Sequence, residues 1–159
     1  MMMNLSCKVI NALKGRTLVT AESCTGGGIG FALTAVPGSS AVYKGSIISY
    51  TNEVKSRQLG VSEELLDREG AVSAGVAAEM AKGVRERLNA DIAVSVTGLA
   101  GPDGDAYGNP IGTVFIGYCD GCTTSVEEYH FLGDRELVRQ QAIDTALDVV
   151  LHYAKTNGK

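Results

Sequence analysis

Three short β-rich runs fix the kind of fold open to this chain. Leu18-Val-Thr-Ala21, Gly45-Ser-Ile-Ile-Ser-Tyr50 and Ile92-Ala-Val-Ser-Val96 each empty into polar or glycine-rich residues, and segments of helical periodicity stand between them. A parallel neighbour needs a crossover connection, so strands alternating with helices predict a parallel sheet covered by helices. Leu5, Val9, Ala12 and Leu13 share one helical face and stop at Gly15. Gly26-Gly-Gly28 makes a tight turn into a helix carrying Ile29, Ala32, Leu33 and Val36, which ends at Pro37-Gly38. Thr51 or Asn52 caps a short helix with Glu53, Val54, Lys55, Gln58 and Leu59. Ser62 caps Glu63 to Arg68, and Gly70 breaks that helix. Ser73 caps a longer one, whose stripe of Val76, Ala77, Met80, Ala81, Val84 and Leu88 is core.

The pattern changes late in the chain. Thr113 to Tyr118 and Thr123 to Phe131 are β-rich runs joined by Cys119-Asp-Gly-Cys122, in which Asp-Gly is the favoured pair for a two-residue hairpin turn. Asp134 then caps a long helix with Val138, Ala142, Ala146, Val149 and Tyr153 on one line and Ile143, Leu147 and Leu151 beside it. The expected fold is α/β: a single three-layer α/β/α domain over residues 1–159, with a mixed sheet that includes a late antiparallel hairpin. No repeat, low-complexity tract or linker divides it. Ligands in such folds sit beyond the carboxyl ends of parallel strands, where Ser23, Tyr50 and Thr97 would lie.

Composition narrows the function. The 159 residues are 45% hydrophobic, enough for a packed core, and the formal charge of -4 offers no basic stripe for a run of phosphates. Nucleic acid is not an expected partner. No apolar segment approaches the roughly 20 residues that cross a bilayer, and the start MMMNLSCK lacks the layout of a secretory signal. No membrane association and a cytoplasmic location are expected, with Cys7, Cys24, Cys119 and Cys122 reduced.

The chemistry gathers at the strand exits. Thr20-Ala-Glu-Ser-Cys-Thr-Gly-Gly-Gly28 sets three nucleophile-type side chains at a strand-to-helix turn. A serine needs a base. His130 at a strand end and His152 near the end of the last helix are poor triad partners. A desolvated lysine serves if some of it is neutral, and Lys55 is the candidate, one helical turn beyond Tyr50, whose phenol could orient Ser23 or pass a proton. The N–H groups of Cys24, Thr25, Gly26 and Gly27, at a helix N-terminus, would make an oxyanion hole or anion site. Spacing alone favours the plainer account, in which Ser23 and Thr25 are caps, Lys55 a surface lysine and Tyr50 core. Cys24 is an alternative nucleophile, or a small packed cysteine. Cys119 and Cys122 resemble half a zinc site with nothing to complete it, so no metal is expected. The loop from Gly98 to Gly104 could cradle a phosphate but lacks P-loop residues. Arg135 and Arg139 could grip a phosphate or carboxylate, or pair with Glu136 on the surface.

TAESCTGG at 20–27, SYTNEVK at 49–55, GAVS at 70–73, SVTGLAGPDG at 95–104, PIGTVFIG at 110–117 and FLGDRELVRQQA at 131–142 together resemble one family, from about Leu5 to Tyr153. It is the C-terminal domain of the competence/damage-inducible protein CinA, which also occurs alone as nicotinamide-nucleotide amidohydrolase. The resemblance implies hydrolysis of the carboxamide of nicotinamide mononucleotide to nicotinate mononucleotide and ammonia in pyridine nucleotide recycling, with no cofactor. It implies Ser23 as nucleophile, Lys55 as general base and Tyr50 as supporting phenol. Thr97, with Gly98 beside it, and an arginine of the GDR segment, Arg135 or else Arg139, match substrate contacts. It also implies a homo-oligomer. The segment Asp105-Ala-Tyr-Gly-Asn109 is variable-looking loop sequence onto which no substrate contact of the family carries over. The larger N-terminal domain of CinA proper is not in this sequence, so no activity attached to it is expected. The competing expectation is a non-catalytic module that binds a nucleotide or another anionic metabolite in the same pocket.

Overall fold

A computed structural model describes residues 2–157. Its five strands are β1 (Leu18–Glu22), β2 (Tyr43–Ile48), β3 (Ile92–Gly98), β4 (Thr113–Cys119) and β5 (Thr124–His130). They form one open sheet in the order β2-β1-β3-β4-β5. β1 runs parallel to β2 and β3, whereas β4 is antiparallel to both β3 and β5. The helices are α1 (Met2–Ala12), α2 (Gly28–Thr34), α3 (Asn52–Leu59), α4 (Glu63–Glu69), α5 (Ala74–Arg87) and α6 (Arg135–Asn157). The α/β class, the parallel start and the antiparallel hairpin are as expected.

Two cores flank the sheet. On one face Val9, Leu13, Ile29, Leu33, Ala142 and Leu147 of α1, α2, α6 and their ends pack against Val94, Val96 and Ile116. On the other, Leu59, Leu65, Leu66, Val76, Met80 and Val84 of α3, α4 and α5 pack against Val19, Ala21 and Ala93. β1 and β4 are buried at every position, as central strands covered on both faces must be. α3 is drawn tightly onto α5: a Cβ on Gly83 would overlap the carbonyl oxygen of Leu59.

Several boundaries move. β2 begins at Tyr43 and ends at Ile48, so Ser49 and Tyr50 lie in the connection beyond it rather than in the strand. β3 continues through Thr97 and Gly98, which pair with Phe115 and Val114 and are sheet rather than loop. Ala12 is exposed; the inward face of α1 is Ser6, Val9 and Ile10, continued by Leu13. The hairpin pairs Cys119 with Thr124 and Asp120 N–H with Thr123 C=O (2.9 Å), so its central residues are Gly121 and Cys122. Asp120 stands one place earlier, accepting from the Cys122 and Thr123 N–H groups at 2.8 and 2.7 Å. An aspartate that caps its own turn by side chain shifts the turn past itself. The expected caps form: Thr51, Ser62 and Ser73 accept from Val54, Leu65 and Val76 N–H, and Asp134 from Leu137 N–H.

Candidate active site

The ends of β1, β2 and β3 meet at a cleft of about 320 Å³. Ser23 and Cys24 from the exit of β1 line it, with Tyr50 and Lys55 from beyond β2, Thr97 and Gly98 from β3, Asp103 from the following loop, and Arg135 from the first residue of α6. Residues far apart in sequence converge because parallel strands end at one edge of the sheet.

Lys55 is 1% exposed, and its Nζ donates to Ser23 Oγ at 2.9 Å and to the Ser49 carbonyl at 2.7 Å. Among the described residues no carboxylate forms an ion pair with it. Burial without a counter-charge disfavours the ammonium and brings its pKa from 10.5 down to about 8, with the Cys24 thiol working weakly the other way. Thr51 makes this possible by capping α3, whose first turn then carries Lys55 inward. Ser49 is held by its own N–H, which donates to Glu22 C=O at 2.7 Å.

The turn after Ser23 is built by a residue that the sequence left without a role. Glu22 ends the wholly buried strand β1 and is itself 0% exposed. Its Oε1 accepts from Thr25 Oγ1, Gly27 N–H and Ile29 N–H at 2.7, 3.1 and 3.0 Å. Its Oε2 accepts from Thr20 Oγ1 and Gly30 N–H, both at 3.0 Å, and from Ser46 Oγ at 3.4 Å. A buried carboxylate must be satisfied, and the open N–H groups of a helix N-terminus supply both donors and a favourable dipole. The sequence signal was a glutamate inside an apolar strand immediately before a glycine turn.

This arrangement corrects the expected anion site. Gly27 N–H is taken by Glu22, Gly26 N–H donates to Ser23 C=O at 3.1 Å, and the Thr25 hydroxyl is turned to Glu22. Of the four amides from Cys24 to Gly27, that of Thr25 donates to no backbone or side-chain acceptor among the described residues, and that of Cys24 to none outside its own residue. Left-handed backbone at Gly26 (φ 60°) and Gly27 (φ 100°) lets the chain turn this sharply.

The remaining candidates separate. Tyr50 is 59% exposed, and its Oη accepts from Arg135 Nη2 at 3.0 Å rather than meeting Ser23. Arg135 also donates through Nη1 to Gly101 C=O at 2.6 Å, which ties α6 to the glycine loop. Arg139 does not line the cleft; its guanidinium donates to Cys24 C=O and Thr25 C=O at 2.9 and 3.3 Å. Thr97 Oγ1 donates to Ala71 C=O at 2.8 Å. Cys24 is buried, and desolvation raises its pKa from 9.0 to about 11, so it remains a thiol near neutrality. His130 pairs with Glu128 and, like His152, lies off the cleft. Cys119 is buried and Cys122 exposed, and no group of three or more potential metal ligands occurs among the described residues. Tyr107 of the Asp105–Asn109 loop anchors it to α4, donating to Asp67 C=O at 2.9 Å. Among the described residues no helix is long and apolar enough to cross a membrane.

Known proteins share this architecture. A competence-damaged protein (CinA) superfamily member from Klebsiella pneumoniae superposes with a TM-score of 0.95 at 34% identity, covering 98% of this chain and 99% of that one. The competence/damage inducible protein CihA of Agrobacterium tumefaciens gives 0.92 at 37% identity, over 95% and 94% of the two chains. In sequence, a CinA-like protein of Geobacter metallireducens is 49% identical over 134 residues, which are 84% of this chain and 32% of that protein. The chain thus spans about a third of the length of several curated relatives it matches. The nicotinamide-nucleotide amidohydrolase PncC of Pseudomonas putida is 48% identical over 134 residues, 84% of each chain. Residues 3–154 match the family described as CinA C-terminal domain, and the chain belongs to that family.

Proposed function

We propose that this chain is an amidohydrolase that converts nicotinamide mononucleotide to nicotinate mononucleotide and ammonia. The observation that carries the reading is the buried Ser23–Lys55 pair, 2.9 Å apart, with a lysine whose pKa of about 8 leaves a useful fraction neutral near physiological pH. Likeness over most of both chains to the amidohydrolase of Pseudomonas putida supports the substrate class.

The neutral Lys55 amine takes the Ser23 hydroxyl proton while one of its N–H bonds stays on Ser49 C=O, which aims its lone pair at Ser23. Ser23 Oγ then bonds to the carboxamide carbon, and the carbonyl π pair moves onto oxygen. The N–H groups of Cys24 and Thr25 are the free donors for that oxyanion. Lys55 returns its proton to the departing amine, the C–N bond breaks, and ammonia leaves. Water, deprotonated by Lys55, then cleaves the acyl-serine to carboxylate. A pyridinium ring in the cleft assists by withdrawing electrons from the amide and by repelling a proton from Lys55. Arg135, with Tyr50 bracing it, is the cation placed for the phosphate.

The test is ammonia release from nicotinamide mononucleotide by the wild type and by Ser23→Ala, with nicotinamide riboside as the dephosphorylated control. Release by the wild type alone is expected. Release by both proteins would remove Ser23 as nucleophile, and release by neither, with the mononucleotide still bound, would make the chain a binding module.

A further inference from the structure

Arg139 is a charged side chain beside the nucleophile turn that takes no part in the bond changes of the proposed reaction. It approaches from α6 without lining the cleft, and its Nη2 passes 3.5 Å from the position a Cβ would take on Gly26. Its two acceptors are consecutive carbonyls, Cys24 C=O through Nε and Thr25 C=O through Nη2. In a planar trans peptide the C=O and N–H point in opposite directions. A guanidinium holding Cys24 C=O therefore fixes the direction of the Thr25 N–H, which belongs to the same peptide. Its charge also polarises that peptide and strengthens the N–H as a donor. Glu22 completes the selection by occupying the N–H groups of Gly27, Ile29 and Gly30.

We propose that Arg139 is a positioning residue that holds the Cys24–Thr25 peptide from behind with its N–H set for the oxyanion, and that it does not touch the substrate. The inference rests on the amidohydrolase reading and deepens it, since Arg135 and Arg139, one helical turn apart, receive different tasks. Arg135 lines the cleft; Arg139 holds the backbone that stabilises the transition state. A donor needed only in the transition state governs kcat, whereas a phosphate ligand governs substrate binding.

The experiment compares wild type, Arg139→Gln, Arg139→Lys and Arg135→Gln by kcat and KM for nicotinamide mononucleotide. The dissociation constant of nicotinate mononucleotide and the melting temperature are measured alongside. For Arg139→Gln a kcat loss of about 10–100-fold is expected, with KM and product affinity within about threefold of wild type. Arg139→Lys, which keeps the charge and one donor, should recover part of kcat and also guards against a glutamine variant that folds poorly. Arg135→Gln should show the reverse pattern. A rise in KM and loss of product affinity in folded Arg139 variants would make Arg139 a substrate ligand and overturn the inference. So would an unchanged kcat, or a kcat loss in Arg139→Lys as deep as in Arg139→Gln. A wild type that releases no ammonia would overturn the amidohydrolase reading itself, and this inference with it.

Discussion

Lys55 is the base of the proposed reaction, and its burial has a cost that can be measured apart from catalysis. The folded-state pKa of about 8 lies below the unfolded value of 10.5, so between those pH values the unfolded chain binds more protons and stability rises with pH. Below about pH 8 the full penalty is present, about 3 kcal/mol for a gap of that size. Lys55→Met is therefore expected to be more stable than wild type at pH 7, less whatever the lost bond to Ser49 C=O contributed, about 1 kcal/mol. The advantage should shrink as the pH approaches 10.5. Urea unfolding at pH 7 and pH 10 checks this, and an equal difference at both would mean that Lys55 is not neutralised by folding. The same ionisation should make kcat/KM climb through about pH 8, because only the neutral amine accepts the Ser23 proton. Cys24 gives the complementary prediction. A thiol held up to about 11 is a poor nucleophile near neutrality, so Cys24→Ala should keep wild-type turnover within a few-fold. Loss of ammonia release in that variant, with Ser23→Ala active, would exchange the two roles.

Elements reach the cleft through two close approaches at glycine. α3 carries Lys55, and its last turn lies so near α5 that Gly83 has no room for a Cβ against Leu59 C=O. Backbone cannot swing aside as a side chain can, so Gly83→Ala should push α3 outward, cost about 3 kcal/mol or more, and lower kcat by lengthening the Lys55–Ser23 contact. An alanine variant with unchanged melting temperature and turnover would show that α3 tolerates the shift. α2 meets α6 the same way, but there the obstacle is a side chain: a Cβ on Gly28 would overlap Ile143 Cδ1. Ile143→Val removes that atom. The double variant Gly28→Ala/Ile143→Val should accordingly be more stable than the sum of the two single changes predicts, and strict additivity in thermal melts would place the conflict elsewhere. Periodicity made most elements legible, because α5 and α6 each bury one stripe. It could not place the end of β2, since Ile47, Ile48 and Ser49 read as strand and Ser49 N–H still bonds Glu22 C=O in the ladder, but β1 stops at Glu22 and gives Ser49 and Tyr50 no residue to pair with. It missed the turn at Asp120 because a side-chain hydrogen bond, not a residue pair, sets that geometry.

Across the whole molecule, the cleft exists only because β1, β2 and β3 end together and the start of α6 brings Arg135 to them. The exits of those strands were readable as polar residues after apolar runs, which is why Ser23, Tyr50, Lys55 and Thr97 could be named in advance. What sequence could not supply was direction: that the Tyr50 phenol meets Arg135 and not Ser23, that Arg139 faces the back of the turn, and that Glu22 takes amides expected to face the substrate. Those outcomes depend on contacts between residues that sit on different elements. Because the cleft draws on several elements, a ligand that spans it should stabilise the fold as a unit. Nicotinate mononucleotide at about 100 times its dissociation constant should raise the melting temperature by about 5–10 °C. If Arg135 is the cation that meets the phosphate, Arg135→Gln at the same ligand concentration should respond only as the wild type responds to the dephosphorylated riboside. A full response in Arg135→Gln would move the phosphate away from α6, leaving the backbone N–H groups of the loop from Ala100 to Gly104 as its seat. Arg135 would then serve to hold Gly101 C=O and Tyr50 in place, the two partners it already has.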